Sequence, residues 1–513
     1  MSSCPAAPGA SVRNLLTGGP SPGSEDGFIA QETRGGAAVN FSGNGVIRPL
    51  RIGNPILAAR SIALTGPACY IPRHSSPNFM ILRVIEKPGS CSREPTSSRC
   101  ILPRVRVPRL QEERRVAVKS KLAYPFALAV ILISALVWPA AAWPAHGAQM
   151  VVDDDKVECP NAGFTHIQDA IDAAAPGDEV HICKGIYLEQ VTIRKSLTIV
   201  ADNGAILMPS TMQANTTSLF DAAPIATALL VADTTGVTIT GLTVDGINNG
   251  ISQCAPDLIG ITFQNASGEL DRTAVRNFKL TASLNGCQSG TGIFIQSGNG
   301  GLSDVEIDHC TVHDFQKNGI TADEKGTVTI IRRNVVTGIG STTGAAQNGV
   351  QIGFGAAGSI LDNVVTNNVW APCTAIATCT AVATNILVTQ SDDVEVSGNT
   401  AGISQVNILV HGNDAAIEHN ETFAAVVFDG IRLQGDQSRI HQNHVFNGAE
   451  SGIFLSGNSN VVTDNVIAEA ATGILKETGS SGNIIAGNHF FNTPVPVQDP
   501  QFIDVAKLIS PKR

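Results

Sequence analysis

"GIRLQGDQSRIHQNHVFNGAESGIFLSGNSNVVTDN", residues 430–465, states one pattern twice. Gly430 and Gly452 each open an alternation of apolar and other residues, GIRLQ and GIFLS. Ten residues after each comes a second phrase, an apolar residue, two variable ones and then Asn: Ile440 to Asn443 and Val462 to Asn465. Alternation at period two is the mark of a strand with one buried face. A phrase that returns after 22 residues therefore describes one turn of something that stacks.

The same frame extends outward from this stretch. The first phrase recurs as GITFQ (260), GIFIQ (292), GITAD (319), GVQIG (349), NILVT (385), NILVH (407) and GILKE (473). The second ends at Asn334, Asn363, Asn399, Asn420 and Asn488, and from Asn399 onward its asparagines lie 21 to 23 residues apart. A period in the low twenties built from short strands and turns signals a solenoid. Leucine-rich repeats share the period but require a Leu-rich consensus that is missing here.

The strand pattern and Asn-bearing turns resemble the right-handed parallel β-helix of the pectin-lyase-like superfamily, in particular its NosD-like repeats. The resemblance implies coils stacked about 4.8 Å apart, so that equivalent residues form ladders. It also implies that a buried Asn at each turn bonds to backbone and to the Asn above and below. "CPNAGFTHIQDAIDAAAPGDEVHICKGIYLEQVTI", residues 159–193, reads as an amphipathic helix (Ile167, Ala170, Ile171, Ala174), a Pro-Gly-Asp turn and strands. It resembles the N-terminal cap of secreted β-helix proteins, including pectin methylesterases. The expected fold is all-β, a right-handed parallel β-helix solenoid with an N-terminal capping helix, and the resemblance spans residues 157–490.

Ahead of the repeats, residues 1–117 are rich in Pro, Ser, Gly and Arg without sustained periodicity, and read as a low-complexity leader or an over-extended reading frame with the true start near Val118. Residues 118–148 read as a signal peptide, with a basic head, an apolar run from Phe126 to Val137 and small residues after it. That leaves 149–513 for the β-helix and implies a secreted or periplasmic protein with no stable membrane insertion after cleavage. Up to Lys121 the chain has 17 Lys plus Arg against 7 Asp plus Glu, and beyond it 17 against 37. So acidic a body repels phosphates, which excludes nucleic acid as a partner.

Seven cysteines follow the leader. Cys254 and Cys287 precede the first-phrase glycines Gly260 and Gly292 by six and five residues, which stacks them on adjacent coils. The expected disulfides are Cys159–Cys183, Cys254–Cys287 and Cys373–Cys379, with Cys310 left as a buried thiol at an Asn ladder position. No CxxC pair occurs among them and no metal site is expected. No cofactor is called for; Ca2+ stays open, without a motif to support it.

Residues 304–315, "DVEIDHCTVHDF", contain an Asp308-His309 pair similar to the Trp-Ile-Asp-His signature of pectate lyases. Glu306 stands where that signature has Trp, however, and Asp308 and His309 occupy the two variable places of a second phrase, so they are expected to be structural. The site is expected on the first strands. Their outward columns read Gln264, Gln296, Asp323, Gly353, Thr389, His411, Gln434, Ser456, Glu477 and Thr262, Phe294, Thr321, Gln351, Leu387, Leu409, Arg432, Phe454, Leu475. They suggest a flat track for a polysaccharide, with Gln264, Gln296, Phe294, Asp323, Gln434, Phe454 and Glu477 as contacts. The insertion at 367–383 should carry Trp370 to its edge.

For chemistry, His411, Arg432 and Asp429 are the candidates: Arg432 to neutralise a uronate carboxylate and His411 as base for lyase or epimerase action. Asp429 with Asp414 or Asp436 would instead suit a hydrolase. The functional expectation is a monomer that binds or modifies a polysaccharide, with lyase or epimerase action on an acidic glycan if it is an enzyme. The alternatives are a non-catalytic adhesin-type glycan binder and a NosD-like periplasmic maturation factor.

Overall fold

The computed structural model describes residues 147–499; the leader and the apolar run of the signal-peptide reading lie outside them. The described chain forms three long sheets whose neighbouring strands are parallel, except for Thr216–Thr217, which pairs antiparallel with Pro224–Ala232. Sheet I has 13 strands from Gln149–Val152 to Ile484–Ala486, sheet II has 12 from Gly185–Tyr187 to His489–Phe491, and sheet III has 13 from Val191–Ile193 to Val495–Gln498. From coil to coil the chain passes from sheet I to II to III and back, which is the winding of a parallel β-helix. The first phrase of the repeat is a sheet III strand; the second is a sheet I strand and the bend after it.

Inside, the second residue of each first phrase forms one column: Ile261, Ile293, Ile320, Val350, Ile386, Ile408, Ile431, Ile453 and Ile474 are all fully buried. The glycines that open most of these strands are there because space is short. A Cβ on Gly292 would lie 2.6 Å from both the Gly319 carbonyl oxygen and Cγ1 of Val312 across the coil. Where Asn replaces Gly, at Asn385 and Asn407, Asn385 donates to Asn407 Oδ1 at 3.0 Å and accepts from Asn368 Nδ2 at 2.9 Å, and Asn407 donates to the Phe423 carbonyl at 2.9 Å, so the polar exception is satisfied internally.

The Asn ladder lies at the bend between sheets I and II. Asn334, Asn363, Asn399, Asn420, Asn443, Asn465 and Asn488 each donate from Nδ2 to a sheet I carbonyl of the preceding coil, and the first six also donate to Oδ1 of the next Asn at 2.9–3.0 Å. The residue before each is left-handed: Arg333, Asp362, Gly398, His419, Gln442, Asp464 and Gly487 have φ between +52° and +70°. Cys310 occupies the same position with His309 before it (φ +51°), and its thiol donates to the Leu270 carbonyl at 3.4 Å much as the Asn amides do.

At the N-terminal end the helix Ile167–Ala173 packs Ile167, Ala170 and Ile171 into the core, and Glu189 accepts its first two N–H groups at 2.7 and 3.0 Å. The disulfides are those expected, Cys159–Cys183, Cys254–Cys287 and Cys373–Cys379, with Cys310 free and buried. Among the described residues no helix is long and apolar enough to cross a membrane.

Candidate functional site

Both outward columns of sheet III stand in the expected register, Thr262 through Phe294, Thr321, Gln351, Leu387, Leu409, Arg432 and Phe454 to Leu475, and Gln264 through Asp323 and His411 to Ser456. What differs is access. The expected open track is roofed over much of its length, because loops from earlier and later coils fold across it.

At one end the segment 216–219 lies over the face. Thr216 Oγ1 donates to Gln264 Oε1 at 2.6 Å, Gln264 Nε2 donates to the Thr217 carbonyl at 2.8 Å, and the Leu219 N–H donates to Gln296 Oε1 at 2.8 Å. Gln264 and Gln296 are accordingly 3% and 0% exposed. At the other end Arg432 is 6% exposed, with its Nε on Asp429 and its Nη2 on Glu450, each at 2.7 Å, and its guanidinium 4.0 Å from the centre of the Phe454 ring and 5.1 Å from that of Phe428. Burial pushes the Asp429 carboxyl up, against the Arg432 charge and the Ser451 hydroxyl. Burial, and then the Asp429 charge, raises Glu450 to about 7.

Between these ends a cavity of about 830 Å³ stands on the sheet III face. Its floor includes Phe294, Thr321, Asp323, Gln351, Leu387 and Leu409; one wall comes from the segments joined by Cys254–Cys287, and another from the 367–383 insertion with Trp370. A run of amides crosses the floor. Thr384 Oγ1 donates to Asn348 Oδ1 at 2.8 Å, Asn348 Nδ2 donates to Gln351 Oε1 at 3.3 Å, and Gln351 Nε2 reaches the Asp323 carboxylate at 3.1 Å. Asp221, Asp257 and Lys317 also line the cavity. Trp370 is fixed by its indole N–H on the Gly344 carbonyl at 2.8 Å.

Of the residues named from sequence, Phe294, Asp323 and Trp370 line this cavity, while Gln264, Gln296, Gln434, Phe454, Glu477, Arg432 and Asp429 do not. His411 is half-buried one strand beyond the lining residue Thr389; its Nδ1 has no hydrogen-bond partner, and burial holds its imidazole below the usual range, with Asp392 opposing. Asp257, Asn318, Asn348 and Lys317 were not read as site residues, though Gln351 stood in an outward column. The available signal was loop length: the stretches before Gly260 and Gly292 exceed a plain coil.

Asp308 and His309 stand apart, at the end of a sheet I strand. Asp308 accepts Arg333 Nε at 2.8 Å and lies 3.3 Å from Arg332 Nη2 and 3.0 Å from His309 Nδ1. Burial raises its carboxyl, but the Arg333 hydrogen bond and the Arg332 charge outweigh this and hold it below the usual range.

Residues 287–501 match the model of a family described as periplasmic copper-binding protein (NosD). The matched residues are coils of the parallel β-helix described above. No curated protein matches the chain. Similar solved structures include the Streptococcus pneumoniae surface protein and adhesin PfbA, at 14% identity over 64% of this chain and 94% of that one with a TM-score of 0.45. The Azotobacter vinelandii mannuronan C-5 epimerase AlgE4 A-module gives 14%, 65%, 91% and 0.38, and an alginate lyase from Paenibacillus sp. gives 14%, 69%, 98% and 0.31.

Copper calls for clustered thiolate, thioether or imidazole donors. The matched segment holds none of the five methionines, and of its four cysteines three are in disulfides and Cys310 is buried, its thiol pushed up to about 12 by desolvation. Among the described residues, the one set of three or more His, Cys, Asp or Glu side chains near enough to share an ion that involves this segment is Asp271, Asp308 and His309, where arginines already hold Asp308. These residues do not fit a copper site.

Proposed function

We propose that this protein binds a largely uncharged glycan segment in the cavity over sheet III. The cavity itself carries the reading: about 830 Å³ with amides and a carboxylate on the floor and Phe294 and Trp370 among its lining. Sugars offer hydroxyls to such amides and C–H faces to such rings, and pockets of this size with few, placed polar groups are the usual form of a ligand site. The three disulfides support use in an oxidising, extracytoplasmic compartment.

The charge of the lining argues for an uncharged ligand over a polyuronate. Asp221, Asp257 and Asp323 outnumber Lys317, and Arg432, the expected partner of a uronate carboxylate, is already held by Asp429 and Glu450. Lyase or epimerase action through His411 and Arg432 loses its cationic clamp on this arrangement, so binding is the reading favoured.

Calorimetric titration with matched neutral and uronate oligosaccharides tests it. Neutral ligands are expected to bind, and Gln351→Ala or Trp370→Ala to weaken them by about tenfold with the fold retained in circular dichroism. Preferential binding of uronates, undiminished in both variants, or release of unsaturated uronate, would overturn it.

A further inference from the structure

The loop after the first strand, residues 153–160, carries Asp153, Asp154, Asp155 and Glu158. Asp154 has an evident structural task, since its carboxylate accepts the Ile186 N–H at 3.0 Å under Gly185. Asp153 does not resolve so simply. It is 0% exposed; one oxygen accepts the Cys159 N–H at 2.5 Å, and the other, Oδ1, is buried without any hydrogen-bond partner. A carboxylate taken out of water and left half-satisfied is strongly unfavourable unless a cation answers it.

What the fold brings to that carboxylate is more negative charge. One carboxylate oxygen from each of Asp153, Asp155 and Glu158 lies within 4.8 Å of the others. Two oxygens bound to one calcium ion at about 2.4 Å are separated by up to about 4.8 Å, so this convergence fits a shared ion. The loop is also held in shape: Lys156 takes a left-handed turn at φ +60°, the Val157 N–H closes on Asp155 Oδ1 at 2.9 Å, and Cys159 is bonded to Cys183. Both sulfurs near Asp153 are thus in a disulfide and are not thiolate donors, which leaves a hard, all-oxygen set. Lys184 reaches Glu158 at 3.4 Å, but from an exposed position that solvent can take over.

We propose that Asp153, Asp155 and Glu158 bind a calcium ion. Asp153 is the buried ligand and the two exposed carboxylates close over the ion, with water completing the shell. The ion would fasten the loop between the first sheet I strand and the helix, remote in sequence from the cavity residues, so glycan binding and cation binding stand or fall separately.

Titrating the chelator-stripped full-length chain with Ca2+, followed by calorimetry and by thermal unfolding, tests this. One ion per chain with a Kd of roughly 10⁻³ M or tighter, as for extracellular modules, and a Tm that climbs with Ca2+ are expected. The double variant Asp155→Asn/Glu158→Gln changes exposed groups only; it should keep the circular dichroism of the parent and lose binding by at least about tenfold. Asp153→Asn removes the uncompensated charge, and its Tm in chelator should equal or exceed the parent's while the response to Ca2+ disappears. Absence of heat and of any Tm change in the parent at several-fold above that Kd, or equal responses of parent and double variant, would sink the proposal.

Discussion

Asn443 shows how much one residue per coil carries. Fully buried, it donates to the Ile417 carbonyl at 2.8 Å and to Asn465 Oδ1 at 2.9 Å, while its own oxygen accepts both the backbone N–H and the side-chain amide of Asn420 at 2.9 Å. Asn443→Leu strands each of these partners out of water and should cost about 1 to 3 kcal/mol in urea unfolding. His441, two residues before it, has a half-buried ring bonded to Thr463 Oγ1 at 3.0 Å, and His441→Ala should stay within about 0.5 kcal/mol. Equal losses would contradict the ladder. Glu450 supplies a second test at this scale. Its carboxyl, raised from 4.5 to about 7, binds its proton more tightly folded than unfolded. The stabilisation this gives is full below about 4.5 and is lost as pH rises toward about 7. Glu450→Gln should flatten the fall in stability across that window, measured as urea midpoints at a series of pH values; an unchanged slope would assign it to other groups.

At the scale of elements, the bend between sheets I and II is a device of two residues, one left-handed and one amide. Gly398 occupies the left-handed place at φ +70°, and a Cβ there would meet Asp362 Oδ1 at 2.2 Å. Gly398→Ala should therefore lose about 1 to 2 kcal/mol, read by calorimetric unfolding. These elements were legible in the sequence because each coil constrains the next. The Ile column, the asparagines, the register of Arg432 on Leu409 and the placing of Asp308-His309 off the sheet III face all follow from one repeated frame. The walls of the cavity were not legible, because loops obey no frame. Gln264 and Gln296 look like free outward amides until Thr216 and Leu219, 48 and 77 residues earlier, fold onto them. Arg432 likewise looked available for a ligand because Glu450, 18 residues later, is its neighbour only once the next coil has stacked.

For the whole molecule, charge decides more about partners than any single contact. Beyond Lys121 the chain holds 37 acidic against 17 basic residues, a net negative charge that disfavours the approach of anions. Neutral glycan binding should therefore hardly change with ionic strength, whereas any residual affinity for a polyuronate should rise as salt shortens the Debye length from about 30 Å at 0.01 M toward about 8 Å at 0.15 M. Surface plasmon resonance at those two salt levels separates the cases, and polyuronate binding that weakened with salt would place a cationic track somewhere on the surface.

The ladder of asparagines also fixes how the chain tolerates changes in its own length. Between Asn399 and Asn488 the rungs come 21, 23, 22 and 23 residues apart, and each bonds to the next in the same way. Removing residues 421–443 sets Asn420 directly before His444 and returns all three strands of the coil to neighbours of the same pattern. Removing a single residue from one strand turns its isoleucine out of the core. Insertions and deletions are thus filtered by phase more than by size. Over descent such a protein can lengthen or shorten by whole coils at a fixed cross-section, and its length is free to vary where its thickness is not.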